Sequence, residues 1–299
     1  MSGYISIIGT PIGNLSDASP RVQQTLGAAQ LLLCEDTRVT SKLLSAFSIH
    51  VPLMRCDEHT IAARTDEVLQ RVFAGEHVCF VSDAGMPAIS DPGQVLVDAA
   101  LDAGVHIEVI PGPSAVVCAL AASGLNSSSF FFEGFLPRKQ SAIDKHLRVL
   151  STIPATCIIY ESPHRVCATL HALAAVMPTR RVALVRELTK VHEEVQRARA
   201  CELAEIMAKR CATAPLKGEC VIVVECDEAT SRELSCARFD AAGAGASAGE
   251  KPTLEDAIHA GIADHVRPTQ LAKELAGTYN VPRAQVYDAI VAALEAAKE

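Results

Sequence analysis

Four stretches of the chain crowd glycine, proline and small polar residues together: GTPIGN (9–14), DAGMPAISDPG (83–93), PGPSA (111–115) and YESPHR (160–165). Glycine lets a main chain come close to a bound group, and proline holds that approach rigid. One such stretch alone reads as a turn. Three in the first half of the chain, each ending an apolar run, read together as the lining of one small-ligand site. None has the G-x-G-x-x-G pattern, and no Lys-Ser or Lys-Thr follows the glycines, which disfavours dinucleotide and nucleoside-triphosphate loops. Proton-transfer chemistry would fall to the carboxylates Glu35, Asp36, Glu133, Glu161, Glu187 and Glu219, or to His164, near strand ends. Taken singly, such carboxylates are more often structural ion pairs than catalysts. No spacing of Cys, His and acids suggests a metal centre.

A frame must bring these stretches together. From 4 to 121 the runs YISII (4–8), AQLLLCE (29–35), HVCFVSD (77–83) and HIEVIPG (106–112) predict strands. Helical patterns at 20–29, 39–47 and 63–75, and the stretch 91–104, lie between them. Near-continuous apolar strands separated by helices imply a mostly parallel sheet, which carries ligands at the carboxyl ends of its strands. Residues 122–228 predict a second, basic α/β module. Its strands are FFFEGF, ATCIIYES, RVALVREL and GECVIVVEC, and a helix covers 162–176. A cleft shared by the two modules is expected. Residues 229–252, ending in AAGAGASAGEKP, have linker composition. Residues 253–299 predict three short helices resembling a helix-turn-helix, with Thr253 and Asp256 as a capping-box start and Pro268 and Pro282 marking later starts.

With 49% hydrophobic residues, the 299-residue chain can bury sizeable cores, and no apolar run reaches membrane-spanning length. The N-terminus has no signal-peptide pattern. The eleven cysteines stand singly, which reads as buried free thiols in a reducing cytoplasm. The net charge of −8 hides an asymmetry: residues 130–200 hold eleven Lys and Arg against six acids, leaving +5 there and −13 elsewhere. A cationic face on an acidic protein suits a phosphate-bearing partner.

GTPIGNLSD, CEDTRVTSKLL, DAGMPAISDPG, IPGPSAVVCALAASGL, FEGFLPRK, YESPHRV, RELTKVHEEV and KGE resemble, in order and spacing over about residues 3 to 225, the tetrapyrrole-methylase-fold enzymes. GTPIGN with EDTR and YESPHR points to the branch acting on small-subunit ribosomal RNA. The resemblance implies two α/β domains around a cleft, S-adenosylmethionine as methyl donor and a homodimer. It also implies methylation of a cytidine ribose 2′-hydroxyl in 16S rRNA or the small ribosomal subunit. Carried over residue by residue, it places the cofactor against Pro11, Asp83, Gly85, Met86, Ser114 and Ala115. Segments around Tyr160, Leu184 and Gly218 would close the other side. Met86 stands where the family usually has Thr, and QSAIDK lacks an arginine often seen there, a place that Lys145 or Arg148 would fill.

Transfer to a hydroxyl depends on holding the acceptor oxygen in line, and a base within reach helps. Glu187 is the first choice of base and Glu35 the second, with a purely positional mechanism still open. Asp83, inside a Gly/Pro loop, is assigned cofactor contact or loop bracing. Arg38, Lys42, Arg138, Lys139, Arg165, Arg186 and Lys190 are the expected RNA-phosphate contacts, and Tyr160, Phe132 and Phe135 the aromatic faces for an unstacked base. Two alternatives stand beside this reading: a methylase for tetrapyrrole carbon, whose carboxylates arginines would also suit, and a non-catalytic cofactor- or RNA-binding module. The helical tail with EDTR and YESPHR favours RNA.

Overall fold

The computed structural model describes residues 3–90, 92–227, 253–264, 266–279 and 281–296. The expected linker 229–252 lies outside them. Residues 1–226 and 227–299 are separate compact units.

In the first unit, apolar alternation builds a sheet covered on both faces. Strands β1 (Tyr4–Ile8), β2 (Leu31–Cys34), β3 (Leu53–Arg55), β4 (His77–Val81) and β5 (His106–Ile110) lie in the order β3-β2-β4-β1-β5, all parallel. Side chains alternate across a strand. Ile5, Ile7, Leu31, Leu33, Val78 and Phe80 therefore pack one way, against α3 (Ile61–Phe73) and α4 (Gln94–Asp102). Ile8, Leu32, Cys34, Cys79 and Val81 pack the other way, against α1 (Pro20–Ala28) and α2 (Thr37–Ala46). The helices begin where the sequence provides caps. Ser19 accepts from the Val22 N–H with Pro20 in the first turn, and Asp36 accepts from the Arg38 N–H.

A second sheet has the order β6-β7-β10-β8-β9, from β6 (Phe130–Phe135), β7 (Thr156–Glu161), β8 (Arg181–Arg186), β9 (Glu194–Arg199) and β10 (Cys220–Val224). Only β6 and β7 run parallel; the other pairs are antiparallel. One face carries α6 (Gln140–Leu150), α7 (Val166–Val176) and α8 (Ala200–Thr213). The other carries α5 (Ala115–Ser123), through Val116, Ala119 and Leu120 against Ile158, Ala183, Val185, Val221 and Val223. The chain therefore crosses between sheets at Gly112–Pro113, upstream of the boundary expected at 121. β9 escaped the sequence reading because EVQRAR is charged and half-exposed, as an edge strand tolerates.

Burial pushes the thiols of Cys56, Cys157 and Cys220 up to about 11 and Cys79 to about 12, as the expectation of inert buried cysteines requires. Two findings depart from it: Cys118 and Cys201 are only half-buried, and Cys167 on α7 and Cys211 on α8, 44 residues apart in sequence, are joined as a disulfide where the two helices pack. Cys236 lies outside the described residues.

In the second unit, helices Leu254–Ala263, Pro268–Tyr279 and Arg283–Ala296 share a core of Ile258, Leu271, Leu275, Val286 and Ile290. The first opens with the capping box of Thr253 and Asp256. No described helix is long and apolar enough to cross a membrane.

Candidate functional site

Adjacent parallel strands bring their carboxyl ends side by side. Because β1 lies between β4 and β5, the loops GTPIGN, DAGMP and PGPSA leave one edge of the first sheet together. They are tied to one another. Thr10 N–H donates to Gly85 O at 2.9 Å, Gly85 N–H to Thr10 O at 3.1 Å, and Gly9 N–H to Ile110 O at 3.0 Å. A Cβ on Gly9 would stand 2.6 Å from the Gly112 Cα and 2.6 Å from the Met86 sulfur. Glycine is required at 9 and 112 because one loop touches another, a reason distinct from ligand approach.

Facing these loops are the ends of β7 and the entry to β10, and between them lies a cavity of about 370 Å³. Six of the nine expected cofactor residues line it: Gly85, Met86, Ser114, Ala115, Tyr160 and Gly218. Ser114 N-caps α5 without a side-chain cap bond, and with Ala115 it lines the cavity, so the helix N-terminus borders it. Pro11 and Asp83 line a neighbouring cavity of about 320 Å³, together with Lys42. There Asp83 braces the β2 end, its Oδ1 accepting the Asp36 N–H at 3.1 Å. Leu184 is 3% exposed and packs in the core on the α7 and α8 face, away from the cavity-lining Tyr160 and Val221. The sequence reading named the loop 83–93 as site lining without singling out Ile89 and Ser90, which reach the cavity. Ala88 and Ser90 both hold left-handed φ, 65° and 64°, strain of a kind that concentrates at functional sites. Nothing in their residue types announced it.

Among the described lining residues the charged groups are two carboxylates, Glu161 and Glu219. Glu161 is buried and fully engaged, accepting from Thr169 Oγ1 at 2.6 Å and Ser162 N–H at 2.8 Å. Glu187, the first choice of base, does not line the cavity. Its Oε1 accepts from Lys190 Nζ at 2.8 Å and from the Glu219 N–H at 3.0 Å. Those two bonds, Lys190's first, hold its carboxyl below the usual range and make it a poor proton acceptor. It also occupies the space that forces glycine at 218, whose Cβ would lie 2.4 Å from Glu187 Cδ at φ 91°. Glu35 is half-buried at the end of β2, outside the main cavity's lining.

The cations divide into two groups. Arg38, Lys42, Arg138 and Lys139 are exposed, although Arg38 also grips Asp36, whose carboxyl it holds far below the usual range. Arg165 donates to Leu136 O at 3.1 Å and Pro137 O at 2.7 Å, fixing the FLPRK turn. Arg186 is tied to Glu194 and Lys217 O, and Lys190 to Glu187 and Glu219. Each of these three has a carboxylate or carbonyl within hydrogen-bond reach and acts as an internal tie. Tyr160 meets Phe132 and Phe135 edge-on, at 4.9 and 5.6 Å between centroids. Tyr160 and Phe135 reach the cavity.

Residues 4–204 match the family of Tetrapyrrole (Corrin/Porphyrin) Methylases. The chain is 39% identical over 286 residues to a protein of Xylella fastidiosa (strain Temecula1) named Ribosomal RNA small subunit methyltransferase I, covering 95% of this chain and 98% of that one. A protein of the same name from Synechocystis sp. (strain PCC 6803) is 36% identical over 291 residues, covering 95% and 96%. The crystal structure of the methyltransferase CobJ superimposes with a TM-score of 0.55 at 19% identity, over 75% of this chain and 95% of that one. The fold is thus shared, and the chain belongs to the tetrapyrrole methylase family.

Proposed function

We propose that the protein transfers a methyl group from S-adenosylmethionine to the ribose 2′-hydroxyl of a cytidine in 16S rRNA, within or on the way to the small ribosomal subunit. What carries the reading is the cavity at the meeting of three Gly/Pro loops, in a chain whose relatives named for ribosomal RNA methylation align almost end to end.

The residues present fit the donor. Ile12, Met86, Tyr160 and Val221 give apolar walls for a flat ring. The α5 N-terminus at Ser114 suits a carboxylate. No lysine or arginine stands among the described lining residues, so no fixed positive charge opposes the cationic part. When bound, S-adenosylmethionine supplies an electrophilic methyl on sulfur. The chain's own groups orient the acceptor and exclude water: Gly85, Met86, Ser114, Ala115, Tyr160 and Gly218 form the pocket, while Arg38, Lys42, Arg138 and Lys139 meet phosphates. The protein works in the cytoplasm as a homodimer, in which a second copy covers apolar edge-strand residues such as Val109, Phe130 and Phe131.

The test is incorporation of labelled methyl into purified small subunits, with mass mapping of the modified nucleotide and light scattering for the dimer. Label on a cytidine ribose is expected. Label on a tetrapyrrole instead, or stoichiometric binding without turnover, would sink the reading.

A further inference from the structure

Beside the cavity mouth, three side chains form a clasp that the family assignment does not explain. Lys190, in the turn between β8 and β9, lays its aliphatic stem across the β1 loop, where a Cβ on Gly13 would meet its Cε at 2.5 Å. Its ammonium then bridges Glu187 Oε1 at 2.8 Å and Glu219 Oε2 at 3.1 Å. Burial alone would pull the Lys190 pKa down, but the bonds from Glu187 and Glu219 outweigh it and hold the ammonium above its ordinary value. The turn itself is strained, with Glu187 at φ 52° and Thr189 at φ 65°.

The two carboxylates of the clasp are not equivalent. Glu187 is turned inward, its side chain 18% exposed and its Oε1 accepting from both Lys190 and a backbone N–H. Glu219 lines the cavity, its side chain is 75% exposed, and Lys190 is its hydrogen-bonded partner in the clasp. A base must stand at the cavity, be reachable by an incoming hydroxyl and be held in one direction. Glu219 meets all three conditions and Glu187 meets only the last.

We propose that Glu219 is the general base for the acceptor hydroxyl, that Lys190 stabilises the oxygen as it loses its proton, and that Glu187 is a positioning residue for both. This rests on the methyl-transfer reading above. In the step, the hydroxyl proton passes to the Glu219 carboxylate while a C–O bond forms and the methyl–sulfur bond breaks. The sulfonium charge is discharged as a neutral thioether, and Glu219 returns its proton to water afterwards.

The wild type, Glu219→Gln and Glu187→Gln are compared on small subunits across pH. Glu219→Gln is expected to lower kcat at least about 100-fold and to abolish the acidic limb of its pH profile, whereas Glu187→Gln lowers kcat and keeps the limb. S-adenosylmethionine affinity by calorimetry should stay within about threefold for Glu219→Gln, which marks the loss as one of chemistry. Independently of turnover, carbon-13 titration of the ligand-free protein should show the Lys190 pKa lowered by Glu219→Gln. A kcat within about threefold of wild type, a persisting acidic limb or an unmoved Lys190 titration overturns the assignment while the methyl-transfer reading stands. A wild type that leaves small-subunit RNA unlabelled overturns both.

Discussion

Ser114 stands where the first turn of α5 meets the cavity, with no cap bond to occupy its hydroxyl. Ser114→Tyr would place a ring in the cavity at the α5 tip while leaving α5 its buried face. S-adenosylmethionine affinity by calorimetry should fall by at least about 100-fold, the scale of about 3 kcal/mol, with the melting temperature little changed. Undiminished affinity would remove α5 from the site. Gly218 tests the opposite wall. A methyl there meets Glu187 at 2.4 Å and forces a side chain into φ 91°, so Gly218→Ala should cost about 1–3 kcal/mol in urea unfolding. Part of that cost is the clash. Glu187→Ala in the same chain should recover about 1 kcal/mol of it, a coupling that a double-mutant cycle reads directly. Strict additivity would mean that the two residues do not touch.

At the level of elements, β8, β9 and α8 are tied by one carboxylate. Glu194 accepts from Arg210 Nη1 at 2.5 Å and from Arg186 Nη2 at 2.9 Å. Those bonds, Arg210's first, hold its pKa below the usual 4.5. A depressed carboxyl contributes its stability in full above the unfolded value and loses it as pH falls through the folded one. The melting temperature should therefore drop as pH goes from about 5 to below 4, and Glu194→Gln should start lower and flatten that drop. An unchanged slope would show that the tie carries nothing. The same elements mark what the sequence could disclose. β1, β2 and β4 were legible because both of their faces are covered and their runs are mostly apolar, and the edge strand β5 because HIEVI is rich in β-branched residues. β9 was not, because an edge strand may be charged on one face and half-wet on the other. The Gly/Pro loops were legible as a site, but strand order decided which of their residues face the cavity. It turned Pro11 and Asp83 to the neighbouring hollow and Leu184 into the core. Glu187 and Glu219 illustrate the remaining gap: two acids near strand ends have the same appearance in a sequence. Only the Lys190 clasp, built from three separate turns, sets one inward and the other at the mouth.

The whole molecule divides after Cys226, and every residue described around the cavity lies before that point. A chain ending at Cys226 should fold cooperatively and bind S-adenosylmethionine with affinity within about threefold of the full protein. If calorimetry shows no binding, the helical unit contributes to the pocket. Within the larger unit, α5 has an unusual position: its first turn opens on the ligand edge of one sheet, and its body is embedded against the other. It acts as a splint set across a joint. Whatever grips its tip steadies both halves at once, so an occupant at one seam is felt as stiffness in strands that never touch it.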